Sequence, residues 1–286
     1  MTPARIRPAT FPDAKAIDAI VAGFGPLRRD LDGWVNHADV HMALVDDSGL
    51  LGFAARRKHK EHPTRDLVSL YVAEKARGLQ YEESLLAALG GKQPLKMRLP
   101  AEDFDDVAAA TRLGFTERIR SATHHIPAYQ LADVADHSHV EAVDGAPRDV
   151  VDAFEVFYAN THRWDPPTRF TRRYVRQAML NGSEHLAVIR DDDGIIVGVG
   201  AAHASLDDAV AADISLVGGL VPTATDANDL TAALVAHLSS FYVNDAQPLW
   251  FEVDRGTGTN EPLARLVDRF ATVGYEEVVI LTNDQE

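Results

Sequence analysis

Residues Asp66–Pro100 read DLVSLYVAEKARGLQYEESLLAALGGKQPLKMRLP, and the rest of the chain can be placed outward from them. Asp66 to Val72 is an apolar, β-branched run that reads as a strand. The polar stretch after it holds Arg77-Gly78 and leads into Tyr81 to Leu89, a helical run ended by Gly90-Gly91. Pro94 to Leu99 is the next strand. Upstream, Arg5 to Ala9 is extended, and Phe11 to Val21 has apolar residues at helical spacing with Asp13 near its start. His41 to Val45 and Leu50 to Ala55 flank Asp46-Asp47-Ser48-Gly49, a hairpin signal. Downstream, Asp105 to Leu113 is a helix stopped by Gly114, and Phe115 to Ile126 is extended.

The second half repeats this order. Val140 to Val143 is extended, and Arg148 to Thr161 and Thr171 to Asn181 are helical. His185 to Arg190 and Ile195 to Ala204 form a hairpin around Asp191-Asp192-Asp193-Gly194. Val210 to Val221 is a long extended stretch with Gly218-Gly219 inside, which suggests a bulge. Asp226 to Tyr242 is a long helix, Leu249 to Val253 a strand, Glu261 to Thr272 a helix and Tyr275 to Thr282 a last strand. A repeated order of this kind implies two similar α/β domains. We expect them at 1–130 and 138–286, with a short tether near Tyr129 to His139, a segment that is polar but not Gly/Ser-rich.

Composition excludes several classes. The chain has 286 residues and no cysteine. It is long enough to bury a core without disulfides, and thiolate metal sites and cysteine nucleophiles are ruled out. No apolar run approaches the roughly 20 residues that span a bilayer, and the N-terminus lacks an apolar signal core. The expectation is a soluble cytoplasmic protein without a membrane partner, either a monomer or a homodimer. The net charge is -15, and it is unevenly spread. Up to Val140 there are 18 basic and 19 acidic residues; from Glu141 onward there are 10 and 24. An acidic half repels nucleic acid.

The order of elements resembles the GCN5-related N-acetyltransferase family, duplicated in tandem. Arg5-Ile6-Arg7-Pro8-Ala9-Thr10 with Asp13 is similar to that family's first strand and helix. Leu70 to Gly78 is similar to its fourth strand running into the acyl-CoA pyrophosphate loop. Phe251-Glu252-Val253-Asp254 with Asn260 to Leu266 is similar to its fifth strand and next helix, and Gly114-Phe115 and Gly274-Tyr275 stand where the family shows Gly-Phe. The resemblance implies an α/β (α+β) fold of two such domains, each a mixed, mostly antiparallel sheet flanked by helices. It also implies an acetyl-CoA or other acyl-CoA or pantetheine thioester donor, and a small-molecule amine acceptor.

The family's loop pattern is (Arg or Gln)-x-x-Gly-x-(Gly or Ala). Its small residues admit the pyrophosphate to backbone N–H groups at a helix N-terminus. In the first half the register gives Arg77-Gly78-Leu79-Gln80-Tyr81-Glu82, so the resemblance places Val72, Ala73, Arg77, Gly78 and Tyr81 at the cofactor. Arg77 reads equally well as a surface charge. In the second half the register gives Asp226-Ala227-Asn228-Asp229-Leu230-Thr231. There Asp226 reads as a helix cap, and the acidic residues repel phosphate. Where the family often has a proton-donating Tyr, this chain has Ala110 and Val267.

Acyl transfer to an amine needs a base or a water chain leading to one. Alternation along Leu249 to Val253 puts Trp250, Glu252 and Asp254 on one face. Glu252 is therefore a candidate base, or else a paired strand carboxylate. His203 and Asp213 lie on consecutive strands and are a candidate proton-transfer pair, or a satisfied sheet histidine beside a carboxylate. The loop Tyr158 to Pro167 gathers Tyr158, His162 and Trp164, candidates for acceptor recognition, with Trp164 as a packing anchor the other reading. Arg56-Arg57-Lys58-His59-Lys60 reads as a blunted sheet edge. His124-His125 and His137-x-His139 lack further ligands at useful spacing, so no metal is expected. Three readings stand. One is an acyltransferase whose donor sits in the first half, its acceptor bound between the halves. The second is a protein of the same fold that has lost CoA and uses its cleft for other small-molecule chemistry or binding. The third is a protein-interaction scaffold in which both halves are catalytically dead.

Overall fold

The computed structural model describes residues 4–21, 39–58, 62–77, 80–205, 208–220, 224–272 and 274–284. They group into two compact units, 1–118 with 278–286 and 119–277.

Unit 1 holds β1 (Arg5–Pro8), α1 (Phe11–Val21), β2 (Val40–Asp46), β3 (Gly49–Lys58), β4 (Asp66–Val72), α2 (Tyr81–Leu89), β5 (Leu95–Pro100) and α3 (Phe104–Arg112). It also takes most of the chain's last strand, β12 (Glu276–Thr282). The sheet order is β1-β2-β3-β4-β5-β12, antiparallel except where β4 meets β5. The β2–β3 hairpin closes on the aspartate turn seen in the sequence. Asp46 accepts from the Ser48 N–H at 2.7 Å, and Gly49 supplies the positive φ of 118°. On one face α2 and α3 cover Leu44, Val68, Met97 and Val279. On the other, α1 packs Ile17 and Ile20 against Phe53, Ala55 and Tyr71.

Unit 2 holds most of β6 (Thr116–Ile126), then α4 (Ala128–Leu131), β7 (Glu141–Val143), α5 (Arg148–Thr161), α6 (Arg169–Gly182), β8 (Ser183–Arg190), β9 (Ile196–Ala204), β10 (Ala212–Gly219), α7 (Ala224–Ser240), β11 (Leu249–Arg255) and α8 (Glu261–Val267). Its order is β7-β8-β9-β10-β11-β6, antiparallel except for β10 with β11. The β8–β9 turn repeats the chemistry of the first hairpin. Asp191 accepts from the Asp193 and Ile195 N–H groups, and Gly194 has φ 78°. Helices α5 and α6 pack Phe154, Phe157 and Val175 on one face, over Leu186, Val188 and Val199. Helices α7 and α8 pack Leu234, Leu238 and Leu263 on the other, over Ala202, Ile214 and Phe251.

Each unit is thus a mixed, mostly antiparallel sheet flanked by helices, with the same six strand positions in the same order. The sixth position is exchanged. Sequence order alone puts β6 with the first half and β12 with the second; the structure gives unit 1 the last strand and unit 2 most of β6. Val279 and Leu281 are buried in the core of unit 1, and Ile126 in that of unit 2. The segment read as a tether also lies within unit 2. Leu131 is fully buried and Val140 nearly so, because α4 lays its apolar side on α7. No helix among the described residues is long and apolar enough to cross a membrane.

Candidate functional site

In both units the functional geometry starts where the parallel pair comes apart. In unit 1, β4 and β5 pair only at Asp66–Leu95 and Leu67–Lys96. Beyond that the strands diverge and leave a cavity of about 500 Å³ walled by Leu70, Val72, Met97 and Leu99. In unit 2, β10 and β11 pair only at Ala212–Leu249 and Asp213–Trp250. The gap beyond is a cavity of about 460 Å³.

The mouth of the unit 1 cavity is ionic. Arg77 lies at it and is held from two sides. Its Nε donates to the Val72 carbonyl at 3.1 Å, and its Nη2 pairs with Asp106 of α3 at 3.0 Å. Asp106 sits in the first turn of α3, capped by Asp103, which accepts the Asp106 N–H at 3.4 Å. Glu74, Glu82 and Asp105 surround the same opening. The Ala73 N–H is taken by the Leu51 carbonyl at 2.7 Å, so β3 already uses that donor. Gly78 lies outside the described residues. Gln80, at the position where the family's loop has its first small residue, adopts φ 63° and caps α2. It holds the left-handed conformation that glycine adopts at no steric cost. Tyr81 opens α2 and packs against the core cluster. Ala110 is buried in the cavity wall.

The unit 2 cavity gathers four of the residues singled out from the sequence: Tyr158, His162, His203 and Glu252. Strand register explains two of them. His203 stands directly opposite Asp213, which stands opposite Trp250, so the three occupy one row on one face of the sheet. Glu252 is two residues further along that face. It accepts a hydrogen bond from Ser121 at 3.1 Å. Burial holds the His203 imidazole below its ordinary pKa, partly offset by a hydrogen bond to the Gly182 backbone. The ring therefore stays neutral near pH 7 and keeps an acceptor nitrogen. At the end of α5, the Tyr158 and His162 rings stack 3.8 Å apart, and His162 Nδ1 donates to the Tyr158 carbonyl at 2.9 Å. Asp213 shares the row but is not in the cavity lining, and neither is Trp164. The Trp164 backbone instead passes beside Gly258.

Two residues of this site escaped the sequence reading. Leu216 has φ 48° at a break in the β9–β10 register, and its side chain lines the cavity. Gly218-Gly219 announced the bulge but not the leucine in it. Asn260 caps α8, accepting from the Leu263 N–H at 3.4 Å, and donates through Nδ2 to the Val217 carbonyl at 2.8 Å. It ties the bulged strand to the helix. Beyond the bulge β10 enters α7 after only residues 220–223, whereas eight residues separate β4 from α2.

Elsewhere, Arg56 pairs with Asp66 at 3.5 Å, and the Lys58 N–H donates to Asp39; His59 and Lys60 lie outside the described residues. His124 is buried beside Tyr275 and Arg255, and the His137 ring meets that of His237. Among the described residues no group of three or more side chains could hold a metal ion.

Solved structures of GCN5-related N-acetyltransferases share this fold. A GCN5-related N-acetyltransferase from Sphaerobacter thermophilus is similar at 17% identity with a TM-score of 0.59, over 98% of this chain and 95% of that one. A tandem protein of the same class from the clavulanic acid biosynthesis pathway is similar at 14% identity and 0.57, over 99% and 100%. The glucosamine N-acetyltransferase region of a fungal multi-domain β-N-acetylglucosaminidase gives 13% and 0.62, over 99% of this chain and 38% of that one. These likenesses establish the fold over nearly the whole chain. No protein-family model matches the sequence, and no curated protein matches it.

Proposed function

We propose that the chain is an N-acyltransferase-type protein in which unit 1 binds a CoA-type acyl thioester and passes the acyl group to a small-molecule amine. One observation carries this reading. The segment between β4 and α2 keeps the length of a phosphate-cradling loop, and Gln80 holds the left-handed backbone that such a loop needs. The cavity fits the rest of the donor. Leu70, Val72, Met97 and Leu99 offer an apolar slot for a pantetheine arm, and Arg77 stands at the mouth as the phosphate partner. Tyr81 begins the helix that follows the loop, and Val72 and Ala73 lead into it. Bound there, the donor supplies a reactive acyl thioester.

The chain's own residues set the terms. Arg77 must exchange Asp106 for the phosphate, so Asp106 acts as a competitor that weakens donor affinity. Glu74, Glu82 and Asp105 draw a protonated amine to the opening and disfavour an anionic acceptor. Ala110 has no proton to give, so proton transfer in unit 1 runs through water or another side chain.

Calorimetric titration of the full chain with acetyl-CoA tests the reading. Binding that falls at least about tenfold in Arg77→Glu supports it. Absence of binding at millimolar ligand overturns it and favours the second reading, a protein of this fold without CoA chemistry. The Arg77–Asp106 pair at 3.0 Å is the observation behind that alternative.

A further inference from the structure

Three histidines of unit 2 meet around one phenylalanine, and none of them lines the cleft. His237 is in the last turn of α7, His185 stands on β8, and His137 lies between α4 and β7. The His185 ring stacks on Phe241 at 3.9 Å with 7° between the planes. The His237 ring meets the same phenyl edge-on at 5.3 Å, and His137 meets His237 edge-on at 5.6 Å. Tyr242 adds a polar tie, donating to Glu184 of β8 at 2.9 Å. Segments far apart in sequence are thus joined at the end of α7, largely through rings.

The charge on these rings decides whether the contacts hold. The His237 Nε2 is buried and has no hydrogen-bond partner among the described residues. Charging that ring leaves a cation whose buried nitrogen meets no acceptor. Burial holds the His237 imidazole below its ordinary pKa of 6.5, and charge on His137 and on His185 pushes it lower still. The nearby carboxylates act elsewhere, Asp136 with His137 and His139, Glu184 and Asp245 with Tyr242. From α4, α8, β9 and β10 the core packed on α7 includes Leu131, Leu266, Ala202 and Ile214. Arg265 and Arg269 of α8 stand beside Asn228 and Asp229, at the other end of the helix. The face of Phe241 accommodates one imidazolium; further ones repel it and each other. The unfolded chain takes up the His237 proton at the ordinary pKa, and the folded chain does so only below it. The stability from a neutral His237 is therefore fully present above pH 6.5 and is lost progressively as the pH falls below that value.

We propose that His137, His185 and His237 form an acid-released clasp, which fastens the end of α7 to β8 and to the segment before β7 while the rings are neutral and lets it go when they charge. Ala227 and Leu230 of the same helix lie directly over Gly219 in the bulged strand, so the clasp holds the element that backs the cleft. The clasp needs no donor in unit 1, and either reading can fail alone.

Hydrogen exchange of the full chain, read by mass spectrometry and corrected for the intrinsic rate, tests the clasp. Between about pH 7.5 and about pH 5.5 the amides of 234–246 should lose protection at least about fivefold, and those of α5 less than about twofold. His237→Leu removes the unpaired nitrogen and nearly keeps the volume. Its protection near neutral pH should be equal or higher, and its acid loss less than about twofold. His185→Gln should also shrink the acid loss, and it decides the matter if a thermal melt shows His237→Leu unfolded. The proposal is overturned if 234–246 keep their protection in acid, if α5 loses as much, or if folded His237→Leu loses as much as the unaltered chain. Equal weakening of that variant at both pH values also overturns it, since His237 would then be a packing residue alone.

Discussion

Among the described residues only two that are not glycine have a positive φ: Gln80 at 63° and Leu216 at 48°. One lies beside each cleft, but at different points of the repeat. In unit 1 the strand β4 runs straight against β3 and the unusual backbone comes after it, in the loop. In unit 2 the strand itself bulges, and the loop after it is short. The shared fold keeps the splayed pair and the cavity. What the cavity can hold is set by the connecting residues and by the charges at its mouth. Unit 1 keeps a loop of cradling length and an arginine; unit 2 keeps a wide cleft with carboxylates and, among the described residues, no lysine or arginine in its lining. Fold alone does not distinguish the two.

The most disruptive way to separate the units is to remove the exchanged strand. A chain ending at Glu277 lacks Val278, Val279 and Leu281, each 2% exposed or less in unit 1. It also lacks Asp284, which pairs with Arg65 at 2.5 Å, and Asn283, which accepts the Leu95 N–H at 2.6 Å. Each apolar side chain contributes about 1.5–3 kcal/mol by burial, and a domain's whole stability is about 5–15 kcal/mol. Calorimetric melting should show the unit 1 transition lost and a unit 2 transition kept. A truncated chain that melts like the full one would mean that β12 is not integral to unit 1.

Charge at the unit 1 mouth gives the next largest effect. Beyond the loss expected of Arg77→Glu, Asp106→Asn should strengthen acetyl-CoA binding a few-fold by freeing the guanidinium from its 3.0 Å partner. Weaker binding in Asp106→Asn would show that the pair positions Arg77 rather than competing for it.

Acid should loosen unit 1 through two identified carboxylates. The Arg7 guanidinium, hydrogen-bonded at 2.6 and 2.9 Å, with Thr10 holds Asp13 at a pKa of about 2, and Arg65 with Thr282 does the same for Asp284. Both values lie below the ordinary 3.8. The resulting stability is therefore fully present above pH 3.8 and is lost as the pH falls through about 2. Each pair contributes about 1–2 kcal/mol after allowance for partial exposure of the arginines. Asp13→Asn should lower the unit 1 melting temperature at pH 6 and lower it much less at pH 2. An equal drop at both pH values would assign the loss to packing rather than charge.

Much of the fold could be read from residue pattern. The strand Asp66–Val72 and the helices Tyr81–Leu89 and Arg148–Thr161 stand where periodicity and glycine stops put them. The exchange of β6 and β12 could not be read, because both strands carry the same alternation and either satisfies the sixth position. Helix α4 was also missed. Its four residues are too few for periodicity, and only the burial of Ala128 and Leu131 on α7 reveals it. At the sites, alternation placed Glu252 and strand order placed His203 opposite Asp213. Trp164 is not among the cavity's lining residues, and a loop's composition does not say which way each side chain turns. Asn260 acts across a gap of 43 positions, which no local pattern shows.

The smallest effect separates the two strained backbones. A residue other than glycine in the left-handed region costs about 1–2 kcal/mol, while glycine's extra freedom in the unfolded chain takes back roughly 0.5–1 kcal/mol. Gln80 is exposed and its side chain does not cap α2, so Gln80→Gly should stabilise unit 1 by about 0.5 kcal/mol. Gln80→Ala keeps the strain and should be nearly neutral. Leu216 has the same kind of φ but packs against the Phe154–Phe157 cluster. Removing its side chain forfeits about 1–2 kcal/mol of burial, so Leu216→Gly should destabilise unit 2. Opposite signs from one substitution would show that unit 1's strain serves only the shape of the loop, while unit 2's is held in place by the packing that shapes the cleft. Equal signs would make the two residues the same device in different places.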